Sequence, residues 1–140
     1  MTRLLAIDHG ARRLGIAVGD TETRLAFPRP AVQRRGTARD LQRLTSLARD
    51  EGAARVVVGL PRNMDGSEGP QAAAARDFGE QLAAAIGLPV VYSDERLSSW
   101  AAGERLQAAG RRVTRRSGEL DSAAAVVILQ QYLDTLEEAE

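Results

Sequence analysis

The chain has 140 residues, a length that fits one domain able to bury its own hydrophobic core. It contains no cysteine, which excludes disulfides and thiolate metal sites and favours a reducing cytoplasm as its location. All 19 basic residues are arginine and 19 acidic residues balance them, so bulk charge does not favour nucleic-acid binding and any basic surface must be local.

The sequence predicts neither a membrane segment nor a division into parts. No apolar run approaches the roughly 20 residues that cross a bilayer, and MTRLLAIDHG at the start is too weakly apolar for a secretion signal. No membrane partner is therefore expected. Repeats, low-complexity tracts and linkers are absent, which predicts a single domain over 1–140.

Three strands are predicted first. RLLAID (3–8) and LGIAVGD (14–20) are apolar runs joined by the glycine-containing HGARR, which is typical of a hairpin. TRLAFPRPAVQR supplies a third strand, and Pro28 and Pro30 confine it to an edge of the sheet because proline cannot donate a ladder hydrogen bond.

The hydrophobic period then changes to that of a helix. TARDLQRLTSLARDEG begins with Thr37 as the expected N-cap and stops at Gly52. Its apolar face holds Leu41, Leu44, Leu47 and Ala48.

Two strand–helix units and a last helix complete the pattern. In chain order, a strand is predicted over 54–60, a helix over 71–87, a strand over 88–95 and helices over 98–110 and 121–140. The fold class is therefore α/β, with three antiparallel strands and two parallel strands in one five-stranded mixed sheet flanked by helices. Ligands of such sheets bind beyond the carboxyl ends of the strands.

Carboxylates stand at the ends of two predicted strands. Asp8 closes the first, and Asp94 and Glu95 close the fifth. A single acid there often caps a turn, but acids from two parallel strands meet at one edge, where they repel unless a cation neutralises them. Asp121 begins the last helix and is a further candidate, although an acid there also complements the helix dipole. Converging oxygen ligands without His or Cys suit Mg²⁺ or Mn²⁺.

Four segments, AIDHGARRLGIAVGD, VVGLPRNMDGSEG, SDERLSSWAA and DSAAAVVIL, resemble the YqgF family in order and spacing. Members of that family are described as Holliday junction resolvases and as pre-16S rRNA nucleases with a ribonuclease H-like fold, and the likeness covers essentially the whole chain. The resemblance implies a metal-dependent endonuclease whose catalytic, metal-binding acids are Asp8, Glu95 and Asp121. Two ions of Mg²⁺ or Mn²⁺ would then activate a water and stabilise the departing oxygen.

Within this scheme the acids differ in role. Asp8 is our choice for the ligand that bridges the ions, since a central strand holds it most rigidly. Adjacent strand residues face opposite sides, so we expect Asp94 to turn away from the metals and His9 to turn away from Asp8. Asp20 and Asp65 are more typical of turns than of ligands.

Arginines flank the proposed ligands. Arginine forms bidentate contacts with phosphate, and two clusters, RRVTRR and the pair after Asp8, are close in sequence to acids of the site, although a charge run can also be only a solvated face. The loop after the fourth strand borders the same crevice and adds an asparagine. The predicted nucleic-acid-binding residues are Arg12, Arg13, Asn63, Arg96, Arg111, Arg112, Arg115 and Arg116.

Precursor rRNA and branched DNA both fit this chemistry as substrates. Cutting a four-way junction needs paired cuts and favours a homodimer, whereas a monomer can trim RNA. Two alternative functions are a non-catalytic rRNA-binding assembly factor and an actin-like nucleotide-binding domain, which DHGARRLGIAVGD also resembles. The second needs two such domains, for which 140 residues are too few.

Overall fold

The computed structural model describes residues 1–94 and 122–139, which are built around one mixed β-sheet. The elements are β1 (Arg3–His9), β2 (Arg13–Asp20), β3 (Ala26–Gln33), α1 (Thr37–Glu51), β4 (Arg55–Leu60), α2 (Pro70–Ile86), β5 (Val90–Asp94) and α3 (Ala123–Ala139). Each corresponds to a predicted element. The helix predicted over 98–110 lies outside the described residues.

The strand order is β3-β2-β1-β4-β5. β1 pairs antiparallel with β2, and β2 with β3, whereas β4 pairs parallel with both β1 and β5. This confirms the predicted mixed sheet and places β3, with its two prolines, at an edge. β1 is the central strand. The carboxyl ends of β1, β4 and β5 lie side by side, and we call this line of strand ends the carboxyl edge of the sheet.

Both faces of the sheet are covered by helices. Leu5 and Ile7 of β1 belong to the apolar core under α1 and α2, whereas Leu4 and Ala6 pack on the opposite side against α3. Small residues let α3 approach closely: a Cβ built on Gly19 would lie 3.2 Å from Leu129 Cδ2. The strand pattern of alternating faces therefore decides which side chains meet α3.

The helix ends follow the sequence in part. Gly52 and Gly87 end α1 and α2 with φ of 69° and 71°, a left-handed conformation that glycine adopts without strain. The prediction of Thr37 as N-cap is wrong, because Gly36 takes that position and Thr37 is the first helical residue. No side chain caps the first turn of α1, and Asp40 within that turn instead accepts the N–H of Arg35, the residue before the N-cap, on its Oδ1 at 2.9 Å. In the described part of the chain, no helix is long and apolar enough to cross a membrane.

A charged cluster lies at the opposite edge of the sheet, where β1 begins. Glu51, in the last turn of α1, accepts hydrogen bonds from Arg29 Nε at 2.8 Å and from Arg3 Nη2 at 3.2 Å. Arg3 Nε also donates to the Glu51 carbonyl at 2.6 Å. The hydrogen bond from Arg29, followed by the charges of both arginines, lowers the pKa of Glu51 below its ordinary value although partial burial raises it. The cluster ties α1 to β1 and β3.

Replacing Glu51 by Gln should lower the free energy of unfolding by about 1 kcal/mol at pH 7, the upper part of the range for partly exposed ion pairs. Because the folded-state pKa of Glu51 is depressed, its contribution is complete above the unfolded pKa of about 4.3 and is lost as the pH falls through the folded pKa. Urea denaturation of both proteins between pH 7 and pH 3 should therefore show the difference shrinking below about pH 4.3.

Asp50→Asn is the matched control, since Asp50 is the exposed neighbour of Glu51. It should change the free energy of unfolding by less than about 0.5 kcal/mol at pH 7. A difference between wild type and Glu51→Gln that stays constant down to pH 3 would contradict the role given to the cluster.

Candidate active site at the carboxyl edge of the sheet

Asp8 lies near the end of the central strand, paired with Gly15 of β2. The four residues before it are at most 1% exposed, whereas Asp8 is half-buried. Since Leu4 and Ala6 face α3, alternation puts the Asp8 carboxylate on that same face. The strand therefore holds one carboxylate rigidly at the edge where α/β sheets bind their ligands.

Asp94 occupies the other face of the edge. It follows Val90 and Tyr92, which pack with α1 and α2, and its Oδ2 lies 3.9 Å from Arg62 Nη1. Arg62 also approaches Glu68, at 3.7 Å, so it links the loop after β4 to the end of β5. Asp94 thus faces away from the side that holds Asp8, as strand alternation predicts.

The other two predicted ligands, Glu95 and Asp121, lie outside the described residues. In sequence, Glu95 directly follows β5 and Asp121 directly precedes Ser122. The predicted binding residues Arg96, Arg111, Arg112, Arg115 and Arg116 are also outside them. Within residues 1–94 and 122–139, no three His, Asp or Glu side chains are grouped as a metal site would need. The three-acid metal site remains a prediction.

Ser122 anchors the start of α3 on the strands beside Asp8. Its hydroxyl is fully buried, accepts the Ile16 N–H at 2.9 Å and donates to the Arg29 carbonyl at 2.6 Å. The β2–β3 register shifts between Leu14 and Ile16, so the hydroxyl bridges the two strands where their ladder is irregular. Ile16 is adjacent to Gly15, the partner of Asp8.

His9 points away from Asp8, as predicted. Its ring packs on Phe78 of α2, with the ring centroids 4.9 Å apart, and its Nε2 lies 3.1 Å from Arg34 Nη1. Burial, followed by the charge of Arg34, lowers the pKa of His9 below its ordinary value of 6.5. The neutral form of His9 is thereby favoured, and its ring packs on Phe78 as part of the structural support at this edge.

Arg34 is a structural support that the sequence does not reveal. Its Nε donates to Asp40 Oδ2 at 3.2 Å, and Asp40 is 0% exposed. Its Nη1 donates to the Gly10 carbonyl at 3.1 Å, and its backbone N–H donates to the Arg12 carbonyl at 2.9 Å. Arg34 thus fixes the β1–β2 turn that follows Asp8. In the sequence, Arg34 lies in QRRG, a pattern typical of a solvated charged loop, so no local signal identifies it as a structural residue.

The β1–β2 turn and the loop after β4 carry the other predicted contacts. Arg12 and Arg13 are exposed in and just after the turn. Asn63 is exposed, but its Nδ2 donates to Ser67 Oγ at 2.9 Å and its carbonyl accepts the Gly66 N–H at 2.8 Å. Asn63 therefore also holds its own loop in shape.

The side chains of Asp20 and Asp65, whose roles the sequence leaves open, form hydrogen bonds typical of turns. Asp65 Oδ1 accepts from the Ser67 N–H at 2.9 Å, and Asp20 Oδ1 accepts from the Thr23 N–H at 2.6 Å. Both follow the side-chain-to-backbone pattern that stabilises tight turns. Asp20 ends β2 at the edge opposite Asp8, which agrees with a structural role.

Residues 2–135 match the model of the RuvX family, whose description is "Holliday junction resolvase". A protein of Anaeromyxobacter dehalogenans (strain 2CP-C) named "Putative pre-16S rRNA nuclease" is 49% identical over 132 residues, covering 94% of this chain and 96% of the relative. The chain belongs to the RuvX family. A second member with the same printed name, from Moorella thermoacetica, is 45% identical and covers 96% of each chain. The resemblance to the YqgF family is thereby confirmed.

Solved structures agree with the fold of this RuvX-family member. RuvC of Thermus thermophilus in complex with a Holliday junction substrate superposes with a TM-score of 0.64 at 17% identity, covering 99% of this chain and 97% of that one. A further structure of the same protein gives a TM-score of 0.61 at 16% identity. At this identity the likeness shows the fold alone, which is ribonuclease H-like.

Removing the Arg34 guanidinium should destabilise the protein strongly. Arg34→Gln would leave the Asp40 carboxylate buried without its charged partner, and we expect a loss of about 3 kcal/mol in the free energy of unfolding. Urea denaturation at pH 7 measures it.

Arg35→Gln is the matched control, because Arg35 is adjacent and exposed, and its side chain makes no ion pair within the described part of the chain. Its effect should stay below about 0.5 kcal/mol. Equal effects of the two substitutions would show that Arg34 does not support this edge.

Proposed function

We propose that this protein is a divalent-metal-dependent endonuclease that hydrolyses phosphodiester bonds of nucleic acid at the carboxyl edge of its sheet. The observation that carries the proposal is Asp8, a half-buried carboxylate held at the end of the central strand on the face covered by α3. Membership of a family whose relatives are named nucleases supports the same reaction class.

The residues at this edge fit a hard divalent cation. Asp8 offers carboxylate oxygens, the ligands that Mg²⁺ and Mn²⁺ prefer, while the imidazole of His9 is turned to the other face and engaged with Phe78. In our proposal Glu95 and Asp121 complete the set, and Ser122 fixes the start of the helix that Asp121 precedes. When bound, one or two such ions supply an activated water and neutralise charge on the phosphate.

The protein's own groups then bind and orient the substrate. Arg12 and Arg13 stand beside Asp8 on a turn that Arg34 holds in place, so they can fix a phosphate near the carboxylate. Asn63 borders the same edge from the loop after β4. These contacts recognise the nucleic-acid backbone rather than its bases, so we expect little sequence preference.

Precursor 16S rRNA is the substrate we favour, because relatives that are 45–49% identical over nearly the full chain carry that name. The proposed role is trimming at the 5′ end. Resolution of four-way DNA junctions is the second candidate, favoured by the description of the family. Cleavage of a precursor fragment and of a synthetic junction by the same preparation separates the two. Junction resolution would also require a homodimer.

Asp8→Asn should reduce cleavage of the preferred substrate more than about 100-fold, since even residues that only support metal ligands contribute about 10- to 100-fold. The fold should survive, because the substitution changes charge with almost no change of volume. Initial cleavage rates under matched metal concentrations, with circular dichroism to verify folding, measure both effects.

The control for Asp8→Asn is Asp50→Asn, which makes the same chemical change in the last turn of α1 and should leave the rate unaffected. Cleavage by Asp8→Asn at the wild-type rate would remove Asp8 from the site. Binding of rRNA by wild type without any cleavage in Mg²⁺ or Mn²⁺ would instead support the non-catalytic assembly factor.

Activity should require added Mg²⁺ or Mn²⁺ and should disappear in chelator, because the proposed ligands are all carboxylates. Ca²⁺ should support binding but not efficient cleavage, since its coordination is larger and looser. Rates measured after dialysis against chelator, and again after each metal is restored, check this. Full activity in chelator would contradict the metal-dependent mechanism.

A further inference from the structure

The start of α1 lies at the same edge of the sheet as Asp8. β3 runs antiparallel to β2 and therefore parallel to β1, so Gln33 ends β3 on the side where β1 ends. The bond from the Arg34 N–H to the Arg12 carbonyl, 2.9 Å, joins the segment before α1 to the β1–β2 turn. The first turns of α1 thus lie at the same edge of the sheet as Asp8, but on the opposite face from its carboxylate.

Four exposed arginines lie on this surface: Arg12, Arg35, Arg39 and Arg43. We call them the α1 arginine surface. Among residues 1–94 and 122–139, none of the four has an ion-pair partner. Arg43 Nη1 donates to the Gln33 carbonyl at 3.0 Å, which holds that side chain against the end of β3.

Acidic side chains are sparse in the segment that carries these four arginines. Between residues 9 and 49 the acids are Asp20, Glu22 and Asp40. The first two lie in and beside the β2–β3 turn at the opposite edge, and Asp40 is buried against Arg34. By contrast, the opposite edge neutralises its arginines, since Glu51 binds both Arg3 and Arg29. A chain with zero net charge thus concentrates arginines without ion-pair partners among the described residues at the edge of the sheet where β1 ends.

We propose that the α1 arginine surface binds the phosphate backbone of the nucleic-acid strand where it continues beyond the bond that is cut. The inference rests on the proposed function, because it gives that site's substrate a second contact region. Arg39 and Arg43 are one helical turn apart, about 6 Å along the axis, so they can contact different phosphates. Guanidinium groups pair bidentately with phosphate, and such contacts add affinity without reading sequence.

Arg39→Gln and Arg49→Gln form a matched pair for the test. Both residues are exposed, both lie on α1, and both substitutions remove one charge, but Arg49 is in the last turn, away from Asp8. Binding of a precursor 16S rRNA fragment is measured by fluorescence anisotropy at several salt concentrations, in an Asp8→Asn background that keeps the RNA intact. Thermal unfolding verifies that each variant is folded.

Arg39→Gln should weaken binding about tenfold, as expected for loss of one charged hydrogen bond. It should also reduce the slope of log affinity against log salt by about 0.7 to 0.9, one phosphate contact. Arg49→Gln should leave both unchanged. The triple variant Arg35→Gln/Arg39→Gln/Arg43→Gln should reduce the slope by about 2 to 3.

Several results would overturn the proposal. Equal losses for Arg39→Gln and Arg49→Gln would assign the effect to overall charge. If the parent bound RNA strongly and the triple variant bound it equally well, the proposed role of this surface would be wrong. The proposed nuclease function would not be affected. Failure of the parent to bind the RNA or a four-way junction would overturn both. If the triple variant lost binding to poly-glutamate but kept its binding to RNA, the surface would be a binding site for acidic proteins and not for nucleic acid.

Discussion

The central position of β1 is the constraint on which the rest of this structure depends. The strand is paired on both sides and covered on both faces, so Leu4 to Ile7 are almost entirely removed from solvent. Asp8 is the first residue after this buried run that is partly exposed to solvent. Because a shift of β1 would break two ladders and two cores, the carboxylate is held in place more firmly than a loop could hold it.

Alternation along the strands divides the edge into two chemically different sides. Asp8 lies on the side of α3, whereas His9 and Asp94 lie on the side of α1 and α2. The second side holds a network of buried and charged groups in which Arg34 connects the β1–β2 turn to Asp40. Neighbouring residues of a strand thus face opposite sides of the sheet, which explains why Asp8 and His9 have different surroundings.

The edge of the sheet where β1 ends differs in charge from the edge where β1 begins. Glu51 neutralises two arginines where β1 begins, and this stabilises the fold. Where β1 ends, the arginines of the α1 arginine surface face solvent without carboxylate partners in the described structure. A protein whose charges balance overall can therefore still present a local field that attracts a polyanion. Membership of a family of named nucleases gives that field its proposed use.

Local sequence patterns predict the order and type of the described elements, the edge position of β3, the glycines that end α1 and α2, and the position of Asp8 at the end of β1. Each follows from a local rule. The hydrophobic period predicts the elements, proline without an N–H predicts the edge strand, and glycine, which adopts positive φ without strain, predicts the helix ends. The contacts of Arg34 and Ser122, and the grouping of arginines around the start of α1, arise only when the chain is folded. Ser122 bonds to Ile16 across 106 residues of chain, and such partners are set by packing, which no local pattern encodes.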